Sequence, residues 1–106
     1  MSFHENTQEL VNGVCMLEFS NAVEKHGKTF NSMHEAWAIL KEEVEKVGFD
    51  LAELQLNFRT MWQYVRMNNN EDLMEGVNSI QNSAIRAMME LAQVWAVCEK
   101  MKEGVE

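Results

Sequence analysis

The chain contains no proline in its 106 residues and only five glycines. Proline ends or kinks a helix, and a β-rich fold of this size needs many turn residues, so this composition favours long helices. Hydrophobic residues make up 46% of the sequence, enough for the core of one domain or for a share of an oligomer core. We therefore predict an all-α protein. It forms a single helical domain over residues 1–106, a bundle of four to five helices that oligomerisation completes.

Capping residues predict where the first two helices begin and end. The first helix is predicted to begin between residues 3 and 7 and to stop at Gly27, because glycine is favoured just after a helix C-terminus. Ser32 followed by Glu35 forms a capping box, in which the hydroxyl accepts a hydrogen bond from a free amide of the first turn. The second helix is therefore predicted to begin at about Met33.

Gly48 leaves two alternatives open for the second helix. It either ends that helix, with Asp50 and Glu53 capping a new one, or it lies within a continuous helix. In both cases the apolar pattern predicts helix to about Arg66. Three asparagines at positions 68–70 then predict a turn, and a last helix begins directly after it.

The helices carry apolar residues on more than one side, as amphipathic helices with two covered faces do. The first helix has one such set: Leu10, Val11, Val14, Leu17, Ala22 and Val23. The second has a stripe predicted to face the core: Trp37, Leu40, Val44 and Val47. It also has a stripe that is apolar at its ends and acidic in its middle, the pattern of a helix lining a polar cavity: Ala38, Ile39, Glu42, Glu45 and Phe49. The last helix has one stripe with a period near seven residues: Leu73, Val77, Ile80, Ala84, Met88, Leu91, Trp95 and Cys98. Its second stripe is Met74, Asn78, Gln81, Ile85, Met89 and Ala92. We predict a homo-oligomer.

The charge of the chain limits its partners. Seventeen acidic residues against nine basic ones give a net charge of -8, so no basic patch for nucleic acid is visible. An anionic ligand such as a nucleotide would need a divalent cation. No segment approaches the roughly 20 apolar residues of a membrane span, so no membrane partner is expected.

The N-terminus and the cysteines predict a cytoplasmic location. The first ten residues have neither a basic region nor an apolar core, so no signal peptide is expected. Cys15 and Cys98 fit neither a CxxC pair nor a disulfide framework. Both are predicted to be reduced, half-buried helix residues.

Glu42 and Glu45 are the main candidates for chemistry. They are three residues apart, so on a helix their side chains are neighbours on one face, whereas Glu43 points elsewhere. Two carboxylates at one place repel each other, unless water or a cation separates them. Mg²⁺ and Mn²⁺ prefer carboxylate oxygen and bridge to phosphates. The alternative interpretation is a solvated acidic face, which is common on helices.

The run NSMHEAWAILKEEVE, followed about forty residues later by SAIRAMMEL, resembles the MazG-like branch of the all-α nucleoside triphosphate pyrophosphohydrolases, especially the short forms of bacteria and their phages. In those relatives an S-x-H-E-A-[YW] start leads into an E-E-V-E helix. A later helix carries ExxD shortly before an A-[IL]-R-A segment. The resemblance covers roughly residues 28–92. It implies a bundle that forms dimers or tetramers, in which ExxE and ExxD hold Mg²⁺ against a triphosphate and a metal-bound water splits the α–β phosphate linkage.

By this resemblance Glu42 and Glu45 are the catalytic pair and the first metal ligands. The second pair departs from the family pattern. Counting back from A-I-R-A, the two acidic positions of ExxD fall on residues that are not acidic, and moving the alignment by one residue places them on Glu75 and Asn78. A missing carboxylate removes both charge and a ligand from a Mg²⁺ site. Two outcomes stay open: Glu75, Asn78 or Glu71 partly substitutes, or catalysis is lost and only binding is retained.

Three further side chains are candidates for nucleotide binding: His34, Lys41 and Arg86. His34 could contact a phosphate or a base, although a histidine in the first turn of a helix is more often a surface residue. Arg86 lies about two helical turns after Asn78 and could face the same cavity. The tryptophans could stack on a base, but their helical spacing favours the core; they are Trp37, Trp62 and Trp95.

Two functional hypotheses follow. The first is a MazG-like nucleotide-binding protein that uses Mg²⁺ or Mn²⁺, with pyrophosphohydrolase activity either retained, impaired or lost. The second is a non-enzymatic helical interaction module, a phage or host-defence accessory protein that acts through self-association or partner binding.

Overall fold

The computed structural model describes residues 5–104, and within this range the chain folds into helices without any strand. The all-α prediction is therefore confirmed. The helices are α1 (Glu5–His26), α2 (Met33–Arg66) and α3 (Asn70–Lys102). Residues 3 and 4, part of the predicted start of the first helix, lie outside the described range. None of the helices described over residues 5–104 is long and apolar enough to cross a membrane.

α2 continues without interruption through Gly48. Glycine costs about 1 kcal/mol relative to alanine inside a helix, so it weakens a helix but does not end one that its neighbours support. Asp50 and Glu53 accordingly belong to the middle of α2 and cap no new helix. Residues 5–104 of the single chain thus form three helices, fewer than the predicted bundle of four to five.

The predicted caps fix the junction between α1 and α2. Gly27 has a φ of 85°, and its amide donates to the Val23 carbonyl at 2.9 Å. Glycine adopts this left-handed conformation without steric cost, so α1 ends there as predicted. The amide of Glu35 donates to Ser32 Oγ at 3.1 Å, which confirms the start of α2 at Met33.

The turn between α2 and α3 is built from the predicted asparagines. Asn68 has a φ of 54°, a conformation that asparagine tolerates better than most residues. Asn69 Oδ1 accepts a hydrogen bond from the Asp72 amide at 3.2 Å, and Asn69 Nδ2 donates to Asp72 Oδ2 at 2.7 Å. This side-chain cap starts α3 at Asn70.

The chain divides into two compact units, which are described separately: unit 1 (residues 5–44 and 91–104) and unit 2 (residues 45–90). In unit 1, the buried side chains are mostly small, with one aromatic ring: Phe30, Ala36, Ala92 and Ala96. Lys100 is also buried, and its ammonium group lies 4.3 Å from the centroid of the Phe30 ring. This cation–π contact compensates for part of the lysine's lost hydration.

Unit 2 is an antiparallel hairpin of the second part of α2 and the first part of α3. Near the turn, Gly76 packs so closely on Met61 that a Cβ on the glycine would lie 2.8 Å from Met61 Cγ. Farther from the turn, Arg86 of α3 contacts Asp50 and Glu53 of α2. The absence of a side chain at Gly76 lets the two helices approach each other. The buried residues of this hairpin are Val47, Ser83 and Ala87.

Several residues predicted to form the core are exposed. Trp37 and Val44 are 60% and 51% exposed, so their assignment to the core is wrong, while Val47 of the same stripe is buried. α2 has large apolar residues on more than one side, and periodicity alone did not show which side packs inside the chain. α1 has no buried residue. Four of its predicted apolar positions are exposed: Leu10, Val11, Val14 and Leu17.

Both cysteines are free. Cys15 is half-buried, as predicted, but Cys98 is exposed. The position of Cys98 on the seven-residue period of α3 therefore did not indicate burial.

Candidate functional site

Glu42 and Glu45 lie one turn apart on α2, and both side chains are exposed. Glu43 is half-buried, so it differs from the pair in its surroundings. Water screens the repulsion between two exposed carboxylates at this spacing. Of the other residues of this acidic stripe of α2, Ala38 and Phe49 are exposed and Ile39 is half-buried. The pair is accessible to a cation that arrives from solution.

The residues predicted for the second metal pair are on α3. Glu75 and Asn78 are also one helical turn apart and exposed. Within residues 5–104, neither unit contains three or more His, Cys, Asp or Glu side chains close enough together to hold a metal ion. A Mg²⁺ ion at Glu42 and Glu45 would take its other ligands from water, from phosphate oxygens or from another chain, as Mg²⁺ commonly does.

Two of the three candidates for nucleotide binding are on the first part of α2. His34 is in the first helical turn, and Lys41 is two turns farther along; both side chains are exposed. Their exposure leaves them accessible to a phosphate or a base. Their positions on α2 place both in unit 1, together with Glu42.

Arg86, the third candidate, is bound to other side chains of unit 2. Its Nη2 donates to Glu53 Oε2 at 3.0 Å and to Ser83 Oγ at 3.2 Å, and its Nε lies 3.9 Å from Asp50 Oδ1. The Asp50 side chain is only 18% exposed, whereas that of Arg86 is 49% exposed. A phosphate would therefore have to compete with two carboxylates for this guanidinium. In the structure Arg86 joins α3 to α2.

The Asp50–Glu53 pair is a partner of Arg86 that the sequence did not predict. The two carboxylates have the same three-residue spacing as Glu42 and Glu45, and they were interpreted as possible caps of a new helix. Once α2 is continuous, this spacing places them on one side of it. The signal was thus present in the sequence, but it depended on the structure at Gly48.

An open depression of about 600 Å³ lies on the second part of α2. Its lining comes from residues of that one helix: Phe58, Arg59, Met61, Trp62, Gln63 and Val65. Trp62 and Trp37 are each 60% exposed, so neither belongs to the core of the single chain; Trp95 is half-buried. Large apolar side chains at such a surface are typical of interaction sites.

No protein-family model, curated protein or solved structure matches this chain significantly. The resemblance to MazG-like pyrophosphohydrolases therefore depends on the short motifs alone and stays a prediction.

Proposed function

We propose that this chain is a MazG-like nucleotide-binding protein that works as a homo-oligomer and binds its ligand through Mg²⁺ or Mn²⁺. The observation that carries the proposal is the Glu42–Glu45 pair, two exposed carboxylates one turn apart on α2. This helix begins at the Ser32 cap, directly before the H-E-A-W run of the family resemblance.

In this proposal Glu42 and Glu45 hold the cation, and the cation binds the phosphates of a nucleoside triphosphate. A chain with a net charge of -8 needs such a cation to bind a polyanion. His34 and Lys41 are the candidates for direct contact with the nucleotide. Arg86 is a weaker candidate than the sequence indicated, because Glu53 and Asp50 already bind it.

Oligomerisation completes the site and the bundle in this proposal. Residues of another copy supply the remaining ligands in a dimer or tetramer whose assembled bundle has more helices than the single chain. Glu75 and Asn78 of the same chain lie beside Gly76, which packs on Met61 about 24 Å along α2 from Glu45, so they are too far away to share its ion. Where catalysis is retained, water adds to the α-phosphorus and pyrophosphate leaves, which gives a nucleoside monophosphate. Because the second pair lacks a carboxylate, we propose that hydrolysis is impaired or lost and that binding is the function then retained.

Pyrophosphate release and nucleotide binding test this proposal together. We expect at least one nucleoside triphosphate, in the presence of Mg²⁺, to be hydrolysed or to raise the melting temperature. Glu42→Gln removes a ligand charge from the cation. It should therefore lower the rate of hydrolysis, or the affinity for the nucleotide where only binding is retained, by about a hundredfold or more. Glu53→Gln is the matched control on the same helix and should retain the response. A nucleotide panel without turnover and without a Mg²⁺-dependent shift in melting temperature would refute the nucleotide function.

The second candidate function is a non-enzymatic helical interaction module. The observation that favours it is the large number of exposed apolar side chains on all three helices, such as Leu10, Phe58 and Met88. For such a protein, Glu42→Gln and Glu45→Gln leave function unchanged, whereas charged substitutions at exposed apolar positions such as Ile85→Asp remove assembly. Light scattering measures this difference directly.

A further inference from the structure

The hairpin of unit 2 has two unlike sides. One side carries the contact of Arg86 with Asp50 and Glu53. At about 100° per residue, seven large apolar residues fall on the other side of the two antiparallel helices. We call these residues the apolar face: Leu51, Phe58, Trp62 and Val65 of α2, with Met74, Ile85 and Met88 of α3.

Every member of the apolar face is between 45% and 65% exposed. An aromatic side chain has about 200 Å² of surface and the aliphatic ones have less, so half-exposure of these seven residues leaves roughly 600 Å² in contact with water. This area is at the upper end of the range for the largest apolar patch of a monomer, about 300–600 Å². It approaches the ~800 Å² that each partner contributes to a stable protein interface.

We propose that the apolar face is the contact surface between two copies of this chain. This inference deepens the homo-oligomer of the proposed function, and it rests on that part of it. The seven positions carry no charge, so self-contact there buries no like charges against each other. Self-association of two hairpins through their apolar sides also produces four-helix packing, which buries the side of each hairpin that the single chain leaves in water.

The charges at the edges of the apolar face fit a second copy. Arg59 and Arg66 border the face on α2, and Glu71 borders it on α3. A two-fold axis parallel to the helices places α2 of one copy over α3 of the other, with both turns at the same end. Arg66 and Glu71 both lie next to the turn. This arrangement therefore brings Arg66 of each copy to Glu71 of the other, so the edges attract each other.

Sedimentation equilibrium of the full chain tests this contact with a matched pair of variants. Phe58 belongs to the apolar face, whereas Phe49 lies on another side of the same helix and is even more exposed, at 75% against 65%. We expect Phe58→Glu to raise the dimer dissociation constant by about tenfold or more, as charged substitution within an interface core does. Phe49→Glu should change it less than about twofold. Circular dichroism at low concentration checks that both variants keep the helical content of the wild type.

A charge-reversal pair tests the two-fold arrangement. Arg66→Glu and Glu71→Arg should each weaken the dimer severalfold, and the double variant should restore most of the affinity. Additive losses in the double variant would overturn this arrangement.

The outcomes separate this inference from the proposed function. A wild type that stays monomeric at hundreds of micromolar would overturn both this contact and the proposed homo-oligomer, and would leave the face to a different partner. An oligomer that Phe58→Glu leaves intact, or that both phenylalanine variants dissolve equally, would overturn this contact alone. A wild type that dimerises through the apolar face but shows no nucleotide response would refute only the nucleotide function.

Discussion

Two acidic pairs with the same three-residue spacing lie on α2, and the structure places them in different surroundings. Asp50 and Glu53 meet the guanidinium of Arg86, and the Asp50 side chain is largely buried. Glu42 and Glu45 are exposed on the surface of the helix. The spacing makes two carboxylates neighbours in both cases. The first pair joins two helices through Arg86, whereas the second lies on an exposed surface that a metal ion from solution can reach.

This difference matters for function because a metal site and a structural ion pair use the same residue types. An arginine placed between two carboxylates already supplies the positive charge that a Mg²⁺ ion would bring. The Asp50–Glu53 pair is therefore the poorer metal site, although it is the more buried of the two. The Glu42–Glu45 pair is the one that a cation from solution can reach.

Both acidic pairs lie on one continuous helix, with Gly48 between them. Substitution of Gly48 is the strongest test of this continuity. Gly48→Ala should raise the free energy of unfolding by about 1 kcal/mol, because alanine is the better helix former and its Cβ meets nothing within 4 Å. Thermal or urea unfolding measures the change. Gly76→Ala is the matched helical control and should give a smaller gain or a loss, since its Cβ would lie 2.8 Å from Met61 Cγ. A break at Gly48 would instead make Gly48→Ala destabilising.

Removal of Arg86, the cation that binds Asp50 and Glu53, should have the next largest effect on the free energy of unfolding. Arg86→Gln should lower the free energy of unfolding by roughly 0.5–1 kcal/mol, the range for partly exposed ion pairs. Arg59→Gln, at an exposed position on another side of α2, is the control and should change it by less. Chemical denaturation at low salt measures both values. Equal effects of the two variants would show that the contacts of Arg86 do not hold the helices together.

The smallest expected effect is a change in the free energy of unfolding that has opposite signs for the two acidic pairs. Without metal, Glu42→Gln should raise the free energy of unfolding by a few tenths of a kcal/mol, because it relieves repulsion between like charges. Glu53→Gln should lower it by a similar amount, because it weakens the bond to Arg86. Both effects should shrink in about 1 M salt, where the Debye length falls to about 3 Å. The same sign for both variants would contradict the comparison.

The helix ends could be predicted from the sequence because they depend on local chemistry. Ser32, Gly27 and the asparagines of the turn act on their own backbone neighbours, and the structure places the helix ends beside them at, or within one residue of, the predicted positions. Gly48 could not be assigned, because glycine inside a helix and glycine after one differ in backbone conformation and not in residue type. The structure decides it in favour of the continuous helix.

The side that each helix buries could not be predicted in the same way. Trp37 and Val44 have the spacing of a core stripe, yet they are exposed in the single chain, whereas the small Ala36 is buried. Periodicity shows that a helix face is apolar, but not which other segment covers it. For the candidate site, the sequence identified Glu42 and Glu45 as neighbours. It did not show that Arg86 binds Asp50 and Glu53, because that contact joins residues 33 or more positions apart.

A crystal structure of the full chain soaked with Mn²⁺ and a non-hydrolysable nucleoside triphosphate distinguishes the two acidic pairs as metal sites. We predict anomalous density for a Mn²⁺ ion between Glu42 and Glu45, with phosphate oxygens among its ligands, and no ion between Asp50 and Glu53, where Arg86 is bound. Anomalous density only at Asp50 and Glu53, or none at Glu42 and Glu45 at saturating Mn²⁺ and nucleotide, would contradict this prediction.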